Sequence, residues 1–161
     1  SQIEALKAQI EKLEKVIVAT VKRDDDARRL VTIPGVGAIT AASVRALVPD
    51  PGGFKSGRHF AAWLGLTPKP HSSGGKERLG RISKMGNPAL RSLLVVGATA
   101  VLRHARGNPN ASRWITALLS RRPYKVVAVA LANKMARIIW ALLVKGGRYQ
   151  ENGARNQMAA A

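Results

Sequence analysis

The sequence predicts a mainly α protein: a compact multi-helix domain with a helix-hairpin-helix-like element, preceded by a coiled-coil helix, and little β structure beyond a short hairpin near 69–81. Three observations predict it. The first twenty residues carry apolar side chains at helical spacing, Asn-Pro pairs mark helix starts further along, and strand signals are confined to one glycine-containing stretch. At 161 residues with 46% hydrophobic content, the chain is large enough for one domain with a real core.

Ile3, Leu6, Ile10, Leu13 and Ile17 recur at intervals of three and four, and Glu11 precedes Lys15 by four. This is a heptad seam, too short to stand alone, so residues 1–29 are expected to form a coiled-coil helix that serves as linker or oligomerisation element. Its register lapses near Thr20 and the Asp24-Asp25-Asp26 run.

Residues 30–149 read as the folded body. An apolar entry, Thr32-Ile33-Pro34, leads into Gly35-Val36-Gly37 and a run of helix formers that stops before Pro49. Glycine permits positive φ and close ligand approach, and the following helix starts with unpaired N–H groups, so Gly35 and Gly37 are candidate phosphate contacts of a helix-hairpin-helix. Ser56 is positioned to cap a short helix through Trp63, which is expected to be a core residue. Asn87-Pro88 starts a helix to about His104, Asn108-Pro109 repeats the signal before a helix at 110–121, and Pro123 opens the last long helix, closed by Gly146-Gly147. About seven helices result. Residues 150–161 are polar and alanine-rich and are expected to fray.

Charge identifies the partner class. Lys and Arg number 27 against 9 Asp and Glu, a net +18, and from Arg78 to Arg148 there are fourteen basic residues and no acid. Such an excess on the folded body calls for a polyanion, first of all nucleic acid. Val126–Val144 is apolar, but Lys134 and Arg137 near its middle argue for a buried soluble helix, so no membrane partner is expected. The absence of cysteine fits a cytosolic protein, and the acids are too scattered for a two-metal carboxylate site. Because the chain starts at Ser1 without an initiator methionine, it is expected to be a fragment of something longer.

The stretch TPKPHSSGGKERLGRISKMGNPALR, residues 67–91, holds Ser72 and Ser73 before Gly74-Gly75, with six basic residues and one acid. A serine attacks a phosphodiester only if a base takes its proton and cations neutralise the charge that builds on the phosphoryl oxygens. Lys76, Arg78, Arg81, Lys84 and Arg91 are candidates for the second task, and Gly74 allows close backbone approach. His71 has no evident orienting partner and is a poor candidate base. Local chemistry alone favours a phosphate-gripping loop without catalysis and does not choose between the two serines.

The ordered series TIPGVGAITAASV, FKSGRHFAAWLGLTP, HSSGGKERLG, ISKMGNPALRSLL and ALANKMARIIWALL closely resembles the C-terminal Tnp domain of the one-ten family of bacterial insertion-sequence transposases. The resemblance covers about residues 30–149. It implies a serine nucleophile at Ser73, a phosphoserine link to DNA, and backbone grip by Lys76, Arg78, Arg81, Ser83 and Lys84. It further implies an RuvC-like domain with a DEDD carboxylate set and Mg²⁺ ions, absent from this chain, joined through the coiled coil. The partners it implies are DNA, a bridge-type guide RNA, the RuvC-like domain of the same or another protomer, and further copies in a homo-oligomer. The setting is the bacterial cytoplasm, in association with the nucleoid. With no cofactor of its own, the fragment alone is expected to bind nucleic acid without recombining it. A non-catalytic helix-hairpin-helix scaffold for DNA or structured RNA is the alternative.

Overall fold

A computed structural model of the chain describes residues 1–73 and 76–150. Its described residues form seven α-helices and one two-stranded antiparallel ribbon, so the fold is mainly α.

Helix α1 spans Gln2–Arg23 and opens with a capping box: the Ser1 hydroxyl accepts the Glu4 N–H, and the Ser1 amine donates to the Glu4 carboxylate at 2.9 Å. Asp24 stops α1 and at once caps α2, Asp25–Val31, by accepting the Asp26 N–H at 3.0 Å. The aspartate run therefore makes a corner. Arg45 of α3, Ala38–Leu47, closes that corner by donating to Asp24 at 2.7 Å and pairing with Asp26 at 3.3 Å, while Arg29 also pairs with Asp26. Half-buried and shared among several partners, these charges fix the α1–α2–α3 arrangement better than isolated surface pairs would.

The turn between α2 and α3 is set by packing. Gly35 has φ +86°, and a Cβ there would lie 2.8 Å from the carbonyl oxygen of Gly97 on the next long helix. Only glycine satisfies both the backbone angle and the close approach. After a 3₁₀ turn at Pro51–Gly53, Ser56 accepts the His59 N–H at 3.2 Å to start α4, Gly57–Trp63. Trp63 corrects the sequence expectation: it is 39% exposed. Helix α4 turns Phe60, Ala61 and Leu64 inward, which leaves Trp63 at the margin, where its ring packs on Phe54 and Phe60.

Strands β1, Pro68–Ser73, and β2, Lys76–Ile82, follow. Helix α5, Pro88–Ala105, starts where Asn87 accepts the Leu90 N–H at 3.0 Å with proline in the first turn. The expected helix at 110–121 begins later, as α6, Arg113–Arg121. Asn108 accepts the Asn110 N–H at 2.9 Å, and Ala111 N–H bonds the Asn108 carbonyl, so the second Asn-Pro pair builds a turn rather than a cap.

Helix α7, Tyr124–Lys145, is the centre of the body and ends at Gly146, φ +77°. Val127, Leu131, Met135, Ile139 and Leu142 are buried along it at helical spacing, together with Leu90, Leu94, Ala98 and Leu102 of α5 and Phe60, Ala61 and Leu64 of α4. This helix is long and apolar enough to cross a membrane, and 61% of its most apolar window is buried within the fold. It is a core helix.

Candidate functional site

The serine stretch lies on the ribbon. Strand pairing sets Ser73 opposite Lys76, Ser72 opposite Glu77 and His71 opposite Arg78, with residues 74–75 as the connection. The two serines therefore have different register partners along the backbone, Lys76 for Ser73 and Glu77 for Ser72. The side chains of residues 70–80, among them His71, Ser72, Ser73, Lys76, Glu77 and Arg78, and the whole of Gly74 and Gly75, lie outside the described residues.

The base of the ribbon is locked into the helical body. Ser83 N–H bonds the Thr67 carbonyl at 2.9 Å, and Lys84 N–H bonds the Gly65 carbonyl at 3.1 Å. Gly65 and Gly86 allow the two legs to interlock with the end of α4: a Cβ on Gly86, φ +96°, would sit 1.8 Å from the Trp63 carbonyl oxygen, and one on Gly65, φ +74°, would sit 2.2 Å from that of Met85. Asn133 of α7 donates to the Leu66 carbonyl at 2.9 Å, tying the same point to the core. Lys84 is held at φ +54°, an uncommon left-handed conformation for a residue with a Cβ.

The remaining candidates fall into three situations. Arg81 and Lys84 are exposed beside the ribbon base, available to an anion. Ser83 is partly buried, its hydroxyl accepting the Met85 N–H at 3.4 Å. Arg91 is engaged by the framework, its guanidinium donating to the carbonyls of Leu64 at 3.3 Å and Met85 at 3.5 Å. Arg91 thus braces both legs of the ribbon base, which local sequence gave no means of seeing.

Gly35 and Gly37 lie elsewhere. Gly35 packs on α5 at Gly97, nine residues into that helix and so roughly 14 Å along it from the ribbon's attachment. Gly37 is the exposed N-cap of α3 with no atom near its would-be Cβ. A groove beside it is lined by Ala38, Ile39 and Thr40 of α3 and by Glu14 of α1, so a carboxylate borders the place a phosphate would occupy.

Among the described residues no group of three or more His, Cys, Asp or Glu side chains is placed to hold a metal ion. Burial lowers the pKa of Lys134, on α7, from the ordinary lysine value of 10.5.

Comparison with known proteins sets this geometry in context. Residues 27–114 match the model of the transposase IS116/IS110/IS902 family. The chain is 50% identical over 150 residues, 92% of its length, to a "probable family 20 transposase" of Pseudomonas aeruginosa. It is 47% identical over 85% of its length to the transposase for insertion sequence element IS1111A of Coxiella burnetii, and 40% identical over 86% to the transposase for insertion sequence element IS1328 of Yersinia enterocolitica. These alignments span 44%, 38% and 42% of the respective relatives, so the chain corresponds to less than half of each. With more than half of its residues inside one family model and this succession of relatives, the chain belongs to the IS116/IS110/IS902 family of transposases.

Proposed function

We propose that this chain is the serine-bearing part of an insertion-sequence transposase that cuts and rejoins DNA through a covalent phosphoserine intermediate at Ser73. The observation that carries the reading is the ribbon register. Ser73 is in register with Lys76, a cation suited to a phosphodiester, whereas Ser72 is in register with Glu77, an acid whose charge is not. Anchorage of the ribbon base by two interlocked glycines, Arg91 and Asn133 supports it, since a nucleophile must be held in line with its target.

In the reaction, the Ser73 hydroxyl oxygen bonds to the scissile phosphorus as a bond from phosphorus to a sugar oxygen breaks. The hydroxyl proton passes to a base, and the departing sugar oxygen takes a proton. Attack of a new strand's hydroxyl on the phosphoserine then reverses these steps. The base belongs to the RuvC-like carboxylate domain of the same or another protomer, so the chain alone binds nucleic acid without recombining it. Sequence choice is assigned to a guide RNA, and assembly to the α1 seam in a homo-oligomer acting on the bacterial nucleoid.

In the full-length protein, Ser73→Ala should abolish both strand exchange and the denaturation-resistant protein–DNA adduct while leaving DNA affinity within about twofold; Ser72→Ala should retain both activities. Recombination by Ser73→Ala would remove this serine from the mechanism. The alternative, a non-catalytic scaffold gripping backbone phosphates at the α2–α3 turn, draws on the open N-cap at Gly37 and forms no adduct under any condition.

A further inference from the structure

A cleft of about 300 Å³ lies between the α2–α3 turn, the end of α5, the 108–112 connection, α6 and α7. That volume is at the lower end of the roughly 300–1,000 Å³ usual for small-molecule sites. Its floor is apolar and buried, made by Ile115, Leu131 and Met135, and its edge carries the exposed polar side chains of His104, Asn108 and Asn110. Trp114 and Lys134 complete it, with the Lys134 ammonium 4.3 Å from the centre of the Trp114 ring.

Lys134 is the anomaly. It is partly buried, and desolvation disfavours its charge. Yet among the described residues no carboxylate lies within ion-pair distance of it. The ring of Trp114 compensates only in part. A partly desolvated cation with no carboxylate partner among the described residues, at the edge of an open cleft, is suited to an anion from outside. Exposed Arg103, Arg106 and Arg113 border this end of α5 and α6, so the anion most strongly drawn to it is nucleic acid.

We infer that this cleft takes a single unpaired nucleotide of the bound nucleic acid, its base against Trp114 and the apolar floor and its phosphate on Lys134. A paired base is held in its stack and does not reach into a cavity, whereas an extruded one leaves both its face and its edges to be satisfied. The flexible lysine stem lets the ammonium leave the ring for the phosphate as the base takes its place. Asn108 and Asn110 then supply hydrogen bonds to the base edge. The ribbon base leads into the start of α5, whereas the cleft draws on Val101, His104 and Ala105 at the end of that helix.

The inference rests on the nucleic-acid reading above, and the test separates the two. The chain is titrated with a fully paired duplex, the same duplex carrying one bulged nucleotide, and the same bulge made abasic, each in DNA and in RNA. Trp63→Phe is used so that quenching reports chiefly on Trp114. The bulged duplex should bind about tenfold tighter than the paired one, with quenching, and the gain should vanish with the abasic bulge and in Lys134→Met. The nucleic acid showing the larger gain identifies the source. Equal affinity for bulged and paired duplexes, or a gain that survives loss of the base, overturns the pocket while leaving the ribbon reading intact. Absence of salt-dependent binding to any of them overturns both. If Lys134→Met does not fold, the abasic arm alone decides.

Discussion

Helices α1 and α7 each have 22 residues, and their hydrophobic side chains are disposed in opposite ways. On α1, Ile3, Leu6, Ile10 and Leu13 are 66%, 63%, 55% and 60% exposed, while on α7 eleven residues from Val127 to Leu142 are buried. Only the end of α1 joins the body, through Ile17 and Val21. The sequences anticipate the difference. A narrow stripe at heptad spacing covers one side of a helix and serves a single partner helix, whereas an apolar run around most of the circumference demands a surrounding core. One helix builds the domain; the other presents an unfilled seam, which the proposed oligomer would cover.

This contrast is open to direct attack. The largest effect is expected in its buried half: Ile139→Ala should destabilise the chain by about 2–5 kcal/mol in denaturant unfolding, with Ile10→Ala changing it by less than about 0.5 kcal/mol at dilution where α1 is unpaired. Next, replacing Leu6 and Ile10 together with glutamate should return any oligomer to monomers in sedimentation, without changing the unfolding midpoint of the monomer. A midpoint that falls with the oligomer unchanged would mean α1 packs on its own body after all.

Smaller effects are expected at the ribbon base and in the cleft. Arg91→Ala removes a part-buried bond to the Leu64 carbonyl and an exposed one to that of Met85 and should cost about 1–2 kcal/mol, with faster amide exchange at Ser83 and Lys84. The smallest is at Lys134. Its folded pKa lies below 10.5, so at pH values between the folded and unfolded constants the unfolded chain binds more protons, and stability from this group rises with pH through that window and is complete above 10.5. Lys134→Met should therefore be slightly more stable than the parent at neutral pH, and the advantage should shrink as pH rises toward 10.5. A variant less stable at pH 7 would show that the lysine supports the fold rather than disfavouring it.

What the sequence revealed was what depends on neighbours in the chain. Ser56 and Asn87 act as the caps their local sequence predicts, and the heptad and core periodicities follow from local order; Ser1 and Asp24 are caps that the structure adds. Asn108 shows the limit, since the same Asn-Pro signal makes a turn when its side chain folds back on Asn110. Arg91 and Lys134 were harder still. Arg91 reaches Leu64, 27 positions away, and the cleft around Lys134 draws on five separate segments, so neither arrangement exists until the helices have packed. The distinction between the serines was hidden for a related reason: in sequence they are adjacent, and strand alternation alone gives them different partners.

The most direct measurement is the identity of the residue joined to DNA. Full-length protein is trapped on its substrate, digested with protease and nuclease, and the peptide bearing a residual nucleotide is sequenced by mass spectrometry. The account predicts the phosphodiester on Ser73, and its attachment to Ser72, or to any residue outside the ribbon, would contradict it.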